Sequence, residues 1–416
     1  MRPTVPFVER SLAQPVGVGI VAALVGFTSS FAVVVAGLTA VGATAQEAAS
    51  GLLVLCVVQG IGMIWLSRRH RAPLTLAWST PGAAVLASAG AVAGGWPAAV
   101  GAFVACGALI ELTAAWPALG RLVAAIPVPV AQAMLAGVLL SLCLQPLVAV
   151  TTAPLLVGPV IALWLLLARL APRWATPAAF GLAVVLVLVV VVTGGGTLTL
   201  RPPALVLTAP ELTLPAVVGL ALPLYVVTMA SQNVPGVSVL ASFGYAVPWR
   251  ETLLVTGAGT VVGAFAGGHA VNLAAITAAL PASTEAHPDP RRRWVATQSA
   301  GWAYLVLAGL SPLVTALVAA APAGVFEAVA GLALLTTLGA ALAAALRDES
   351  YRVAATATFL TAASPVVVLG VGSAFWALVV GLVASALLTP WSPRGERDAG
   401  GAAAGGRQWW SWRATR

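Results

Sequence analysis

Long apolar runs recur from Val16 to Thr389, each closed by a short polar stretch that carries arginine, glycine or proline. Runs of this length and composition read as membrane-crossing helices. They fall at 16–41, 48–66, 79–94, 98–116, 127–144, 154–171, 177–193, 213–231, 251–266, 268–283, 295–317, 323–346, 353–370 and 373–389. The expected fold class is therefore an all-α polytopic membrane protein with about 14 transmembrane segments. An even count puts both termini on one face. The first run is too long for the apolar part of a cleavable signal and reads as the first span.

Charge placement tests that count. The chain has no lysine, and all 20 of its basic residues are arginines. With the N-terminus in the cytoplasm, every arginine but Arg201 falls on the inner side, as the positive-inside rule asks. Removing one span would flip each later loop and scatter the pattern. The expected location is the bacterial cytoplasmic (inner) membrane, with both termini cytoplasmic.

Composition excludes most other classes. Of the 416 residues, 60% are hydrophobic and 8% charged, and the mean hydropathy is +1.00. Soluble domains carry about a quarter charged residues. The net charge of +8 lies in loops and does not point to nucleic acid. Cys56, Cys106 and Cys143 all sit in apolar runs, which argues against disulfides and a metal cluster. No H-E-x-x-H, G-x-S-x-G or paired intramembrane acids occur, so no catalytic residue, metal site or cofactor is expected. The tail 391–416, rich in Gly, Ala and Arg, is expected to be a disordered cytoplasmic segment.

Segments three and ten are short, about 16 residues each, so as pure helix each would cover roughly 24 Å of a hydrocarbon core of roughly 30 Å. The remainder must cross in extended chain, which lipid does not tolerate unless protein surrounds it. Segment three opens Ser79-Thr80-Pro81-Gly82-Ala83, a helix-start signal. Segment ten opens Gly267-Gly268-His269-Ala270-Val271-Asn272, where glycine permits a bend or a close approach. They lie seven spans apart and run in opposite directions, the logic of a seven-plus-seven inverted repeat. Two helices starting at the midplane would aim free N–H groups and positive dipole ends at one point, an anion site with no fixed cation.

At these residues the chain resembles the benzoate transporter family, the BenE benzoate–proton symporters, over nearly all of its membrane region. The matching stretches are Gly26-Phe27-Thr28-Ser29-Ser30-Phe31, Ser79-Thr80-Pro81-Gly82 and the run 133–140. Ser231-Gln232-Asn233-Val234-Pro235-Gly236, the run 267–277 and the run 330–335 complete the series. The resemblance implies the uracil-permease-like fold shared with nucleobase and sulfate permeases. It implies a core domain of residues 1–121 and 212–318, and a gate domain of 122–211 and 319–390. It implies import of benzoate or a similar aromatic monocarboxylate with protons, elevator-type movement of core against gate, and a homodimer.

Nucleobase permeases place carboxylates near their substrate in spans eight and ten. Here those regions hold Gln232, Asn233, His269 and Asn272. Neutral donors suit an anion, whereas a carboxylate would repel it. The expected substrate-binding residues are Ser29, Ser30, Phe31, Thr80, Pro81, Gly82, Ala83, Gln232, Asn233, Gly268, His269, Ala270 and Asn272. His269 is read as a donor to substrate or a proton carrier, because histidine titrates near pH 6.5; a structural histidine is the competing reading. Glu327 and Glu111 are the other proton-coupling candidates, each with a structural alternative. Gly259, Gly263 and Gly267 read as a close-packing stripe. The rival functions are a nucleobase or other anion permease on the same fold and, more distantly, an intramembrane enzyme.

Overall fold

Apolar runs of 20 residues or more bury their own backbone polar groups only as helices, and helices dominate the molecule. The computed structural model describes residues 12–194, 202–275, 277–368 and 371–388. The tail 391–416, expected from sequence to be disordered and cytoplasmic, and Arg201 and Ile276 lie outside the described residues.

The first half opens with α1 (Ala13–Ala40), α2 (Ala45–His70) and strand β1 (Leu76–Trp78), then α3 (Thr80–Ala89) and α4 (Gly95–Ala115). After these come α5 (Pro117–Ala124), α6 (Val128–Thr152), α7 (Pro154–Leu170) and α8 (Pro172–Thr193). The second half opens with α9 (Leu214–Ala216), α10 (Leu222–Thr228) and α11 (Val234–Ser242), joined through π-turns at Val217–Ala221 and Met229–Asn233 into one helical rod. Next are α12 (Trp249–Ala264), strand β2 (Val271–Leu273), α13 (Ala279–Ala282), α14 (Trp294–Ala308) and α15 (Ser311–Ala320). The chain closes with α16 (Val325–Leu346), α17 (Arg352–Ala363), strands β3 (Val367–Val368) and β4 (Val371–Gly372), and α18 (Ser373–Leu388).

Helix starts follow local chemistry. At the head of α2, Thr44 Oγ1 accepts from Glu47 N (3.3 Å) while Glu47 Oε2 accepts from Thr44 N (2.8 Å), a reciprocal cap. Helices α7 and α8 begin on Pro154 and Pro172, where a missing N–H costs nothing. At the end of α2, Arg71 adopts a left-handed φ of 48° and stacks on Trp294, 4.4 Å from the ring centre.

The elements pack in two groups. In one, α1 lies on α14 and α3, α2 on α14, and α4 on α12. In the other, α6 lies on α16 and α17, α7 on α8, and α17 on α18. Where the two groups meet, Phe31 of α1 sits edge-on to Phe180 of α8 (4.7 Å) and to Phe326 of α16 (6.3 Å).

Four features depart from the sequence reading. Span eight runs on to Ser242 rather than stopping at 231. The π-turn ahead of α11 places Pro235 in a first turn, where its missing N–H is not needed. Span eleven is bent by 55° between α14 and α15, beside Pro312 at the start of α15. Helix α5 lies between spans four and five. Segment ten is strand at Val271–Leu273, and its helix among the described residues is confined to Ala279–Ala282, so no helix begins near Gly268.

Candidate functional site

The extended parts of segments three and ten find each other. Strand β1 pairs antiparallel with β2, with Ala77 opposite Asn272 and Trp78 opposite Val271. Ser79 N donates to Ala270 O (2.8 Å) and Ala274 N to Thr75 O (2.9 Å). Side chains satisfy the rest: Val271 N donates to Thr260 Oγ1 (3.0 Å), Leu273 N to Asn233 Oδ1 (2.9 Å) and Trp78 N to Gln59 Oε1 (2.9 Å). Backbone at this depth is tolerable only with such partners.

This pairing fixes the start of α3. Ser79 caps it by accepting from Gly82 N (3.1 Å), and Thr228 Oγ1 donates to the same hydroxyl (2.8 Å). The Thr80 N–H, first in the helix, makes no hydrogen bond among the described residues. One free N–H and one helix dipole thus face the space beside Thr80.

That space is a cavity of about 270 Å³ between the two packing groups. From the first group it takes Ser29 and Ser30 of α1, Trp78 of β1, Thr80 and Pro81 of α3, Gln232 of the second π-turn, and Tyr304 of α14. From the second it takes Arg173 and Thr176 of α8 and Thr336 and Thr337 of α16. Trp78 is held by its indole N–H on Ser30 Oγ (2.9 Å), with Phe27 and Tyr304 edge-on at 5.8 and 5.9 Å. Gln232 is 7% exposed, and its carboxamide makes no hydrogen bond among the described residues. The Tyr304 hydroxyl is likewise uncommitted. Among the described residues, Arg173 is the one charged side chain lining the cavity, and no carboxylate lines it. Next to Ser30 on α1, Phe31 meets Phe180 of α8 and Phe326 of α16 in a cluster of rings outside the lining.

Of the residues expected from sequence, Ser29, Ser30, Thr80, Pro81 and Gln232 line this cavity. The others do not. Phe31 is fully buried, stacks on Phe27 (5.5 Å) and meets Phe180 and Phe326 edge-on, so its ring is already occupied. Gly82 and Ala83 are turned inward: a Cβ on Gly82 would strike Leu224, and Ala83 backs onto Gly37 of α1. Asn233 is spent on Leu273 N and on the Met229 sulfur (3.2 Å). Gly268, His269, Ala270 and Asn272 are buried behind the strand pair, because segment ten passes there extended rather than starting a helix toward the cavity. His269 Nδ1 lies 3.1 Å from Ala270 O, and its Nε2 is buried with no partner among the described residues. Asn272 Nδ2 donates to Leu273 O (2.8 Å), leaving Oδ1 unpartnered.

The carboxylate candidates have structural surroundings. Glu327 Oε2 accepts from Gly324 N (3.1 Å) and so caps α16. Glu111 is half-buried, its side chain against Gly257 of α12. Gly259 and Gly263 face Val58 of α2, as the close-packing reading of that stripe expects. Sequence reasoning missed Trp78, Tyr304 and Arg173. Tyr304 carried a signal, being one of four tyrosines, deep in a span. Arg173 looked like one more cytoplasmic arginine.

Comparison with known proteins supports the architecture. The model of the benzoate membrane transport protein family, BenE, matches residues 11–387. The inner membrane protein YdcO of Escherichia coli is 36% identical over 374 residues, 89% of this chain and 94% of that protein. A benzoate membrane transport protein of Acinetobacter baylyi is 29% identical over 335 residues, covering 78% of this chain and 82% of its own length. Among solved structures, the transmembrane domain of the cyanobacterial bicarbonate transporter BicA superposes with a TM-score of 0.57 at 16% identity, over 91% of this chain and 97% of that one. Murine solute carrier 26 family member A9, an anion transporter in the inward-facing state, gives 0.59 at 14% identity, over 91% and 68%. These distant likenesses bear on fold alone, and it is the fold that the resemblance implied. The chain belongs to the benzoate membrane transport family; it is a multi-span transport protein and not an enzyme.

Proposed function

We propose that this member of the benzoate membrane transport family imports benzoate or a similar aromatic monocarboxylate together with a proton. The observation that carries the reading is the acid-free cavity. It sets two aromatic faces, Trp78 and Tyr304, beside donors that nothing else uses: the Thr80 N–H, the Gln232 carboxamide and the Tyr304 hydroxyl. An aromatic ring fits between ring edges and faces. A carboxylate fits free N–H groups at a positive helix end. A nucleobase would want acceptors for its N–H groups, and the wall offers no carboxylate.

Coupling follows from charge. Bringing a monoanion in against an inside-negative potential costs about 2.3 kcal/mol per 100 mV; a proton carried along cancels that term. His269 is the proposed proton carrier. It lies off the cavity, but its ring touches the Ala270 carbonyl that receives Ser79 N–H. A charge gained there acts on the cap of α3 without touching substrate. The proposed movement is an elevator-type shift of a core (1–121 and 212–318) against a gate (122–211 and 319–390). The working unit is a homodimer in the bacterial inner membrane with both termini cytoplasmic.

The test is uptake of labelled benzoate into proteoliposomes with an imposed pH gradient, with uracil and sulfate as competitors. Gradient-driven uptake that unlabelled benzoate blocks and the other two do not is expected. Absence of carboxylate uptake under any gradient defeats the assignment. Loss of the pH dependence in His269→Ala is expected; coupled uptake at the normal level removes His269 from the mechanism.

A further inference from the structure

Arg173 is the first residue after the proline that starts α8, and it both lines the cavity and reaches out of it. Its Nη1 donates to Glu285 Oε2 at 3.1 Å, with both side chains more than half exposed. Arg173 belongs to the group built on α6–α8 and α16–α18. Glu285 belongs to the other, in the loop that follows α13. That loop is held firmly to its own side. Buried Arg293 donates to Ala282 O (2.8 Å), His287 O (2.8 Å) and Pro288 O (3.4 Å). Glu285 N donates to Ser283 Oγ (3.2 Å), and Gln14 Nε2, at the head of α1, donates to Glu285 O (2.9 Å). The ion pair therefore ties one packing group to the other at the rim of the cavity.

Glu285 presents to Arg173 the same group that an arriving monocarboxylate would present. A guanidinium binds carboxylates through two parallel donors. A solvent-exposed pair is weak and readily exchanged. We propose that Arg173 is the carboxylate-recognising residue on the α8 side of the cavity, and that Glu285 occupies it while the site is empty. A substrate carboxylate exchanges with Glu285. In doing so it unties α8 from the 283–289 loop, and Arg173 holds the charged end at the rim before it passes inward to the Thr80 N–H. The inference rests on the monocarboxylate reading above and adds to it a specificity residue and a tie between the groups that substrate releases.

Opposite signs distinguish this role from a structural ion pair. If Arg173 and Glu285 only brace the fold, removing either one has the same effect. If Glu285 is a competitor for Arg173, the two substitutions pull apart. Benzoate uptake kinetics are measured in proteoliposomes for wild type, Arg173→Gln, Arg173→Lys, Glu285→Gln and the double variant, with benzamide as a neutral competitor of nearly equal shape. Arg173→Gln is expected to raise KM about ten- to hundredfold, the weight of a charge-assisted contact, and to bring benzamide close to benzoate as a competitor. Arg173→Lys recovers part of the loss. Glu285→Gln lowers KM severalfold, and the double variant behaves like Arg173→Gln. Where Arg173→Gln shows no measurable uptake, the benzoate-dependent rise in melting temperature of the purified variant reports the same affinity order. KM unchanged in both single variants, or raised in both, overturns the exchange while leaving benzoate transport standing. Wild-type protein that takes up no benzoate overturns both.

Discussion

Segments three and ten meet through the paired strands β1 and β2, yet they are built differently. Segment three is entered through the three-residue strand β1 and winds at once into α3, ten residues long and capped by Ser79. Segment ten stays extended from Val271 to Leu273 and ends in a helix of four residues. The difference lies in what each sequence supplies to its own backbone. Ser79-Thr80-Pro81 brings a cap acceptor and a preset φ, so the helix starts itself. Gly267-Gly268-His269-Ala270-Val271 brings neither. The N–H groups of Val271, Leu273 and Ala274 are taken by Thr260, Asn233 and Thr75 from other elements. One crossing is stabilised locally, the other from outside. Even so, both are backed alike. A Cβ on Gly37, in the first span of the first half, would strike Ala83 O of segment three. A Cβ on Gly236, in the first span of the second half, would strike Ala274 O of segment ten.

That shared backing gives the largest expected effect. Gly37→Val and Gly236→Val each force a side chain into a carbonyl of a crossing segment. Overpacking of this kind costs about 3 kcal/mol or more, enough to remove most folded protein from the membrane. Detergent-solubilised fluorescence-detected gel filtration checks it: a monodisperse Gly236→Val protein with normal melting would end the claim that the two crossings are backed equivalently. The next pair separates local from external support. Asn233→Ala leaves Leu273 N–H buried and unpaired, costing about 1–3 kcal/mol. Ser79→Ala removes the α3 cap and the partner of Thr228, costing about 0.5–2 kcal/mol. Melting should fall further for Asn233→Ala. The reverse order would mean that segment ten supports itself better than its hydrogen bonds imply.

Much of this was legible in the sequence and some of it was not, for a physical reason. Apolar length located the helices, and the shortness of 79–94 and 268–283 marked the two segments where strand meets short helix. The Ser79 cap was readable because a cap is decided within four residues. Five of the expected binding residues reached the cavity: Ser29, Ser30, Thr80, Pro81 and Gln232. The register that hides His269 and Asn272 behind β2 was not readable, since it depends on Thr75, Thr260 and Asn233 arriving from three other elements. The same holds for Trp78, which is turned by Ser30, and for Arg173, which reaches the cavity only because α8 packs across from α3. Contacts between distant elements, not local propensity, decide which polar groups face the ligand space.

The smallest expected effect falls on Asn272, and it probes whether the external support of segment ten has a functional side. Its Nδ2 donates to Leu273 O, within its own strand, while Oδ1 is buried without a partner among the described residues. Segment three has no equivalent among its described side chains. An unpaired buried acceptor carries its full desolvation cost, so replacing the whole amide by an apolar group of similar shape is close to neutral or stabilising. Asn272→Leu is therefore expected to change the stability by less than about 1 kcal/mol and to leave benzoate KM unchanged, since the side chain does not line the cavity. Melting curves and uptake kinetics on the same preparation separate the outcomes. A stable variant with lost uptake would show that the unpartnered oxygen serves transport, through a bound water or a proton that the strand pair holds. A destabilised variant would show that the amide contributes more to β2 than its single hydrogen bond suggests. Unchanged melting and uptake would confine the role of Asn272 to packing and leave Gln232, across the strand pair, as the carboxamide that meets the substrate.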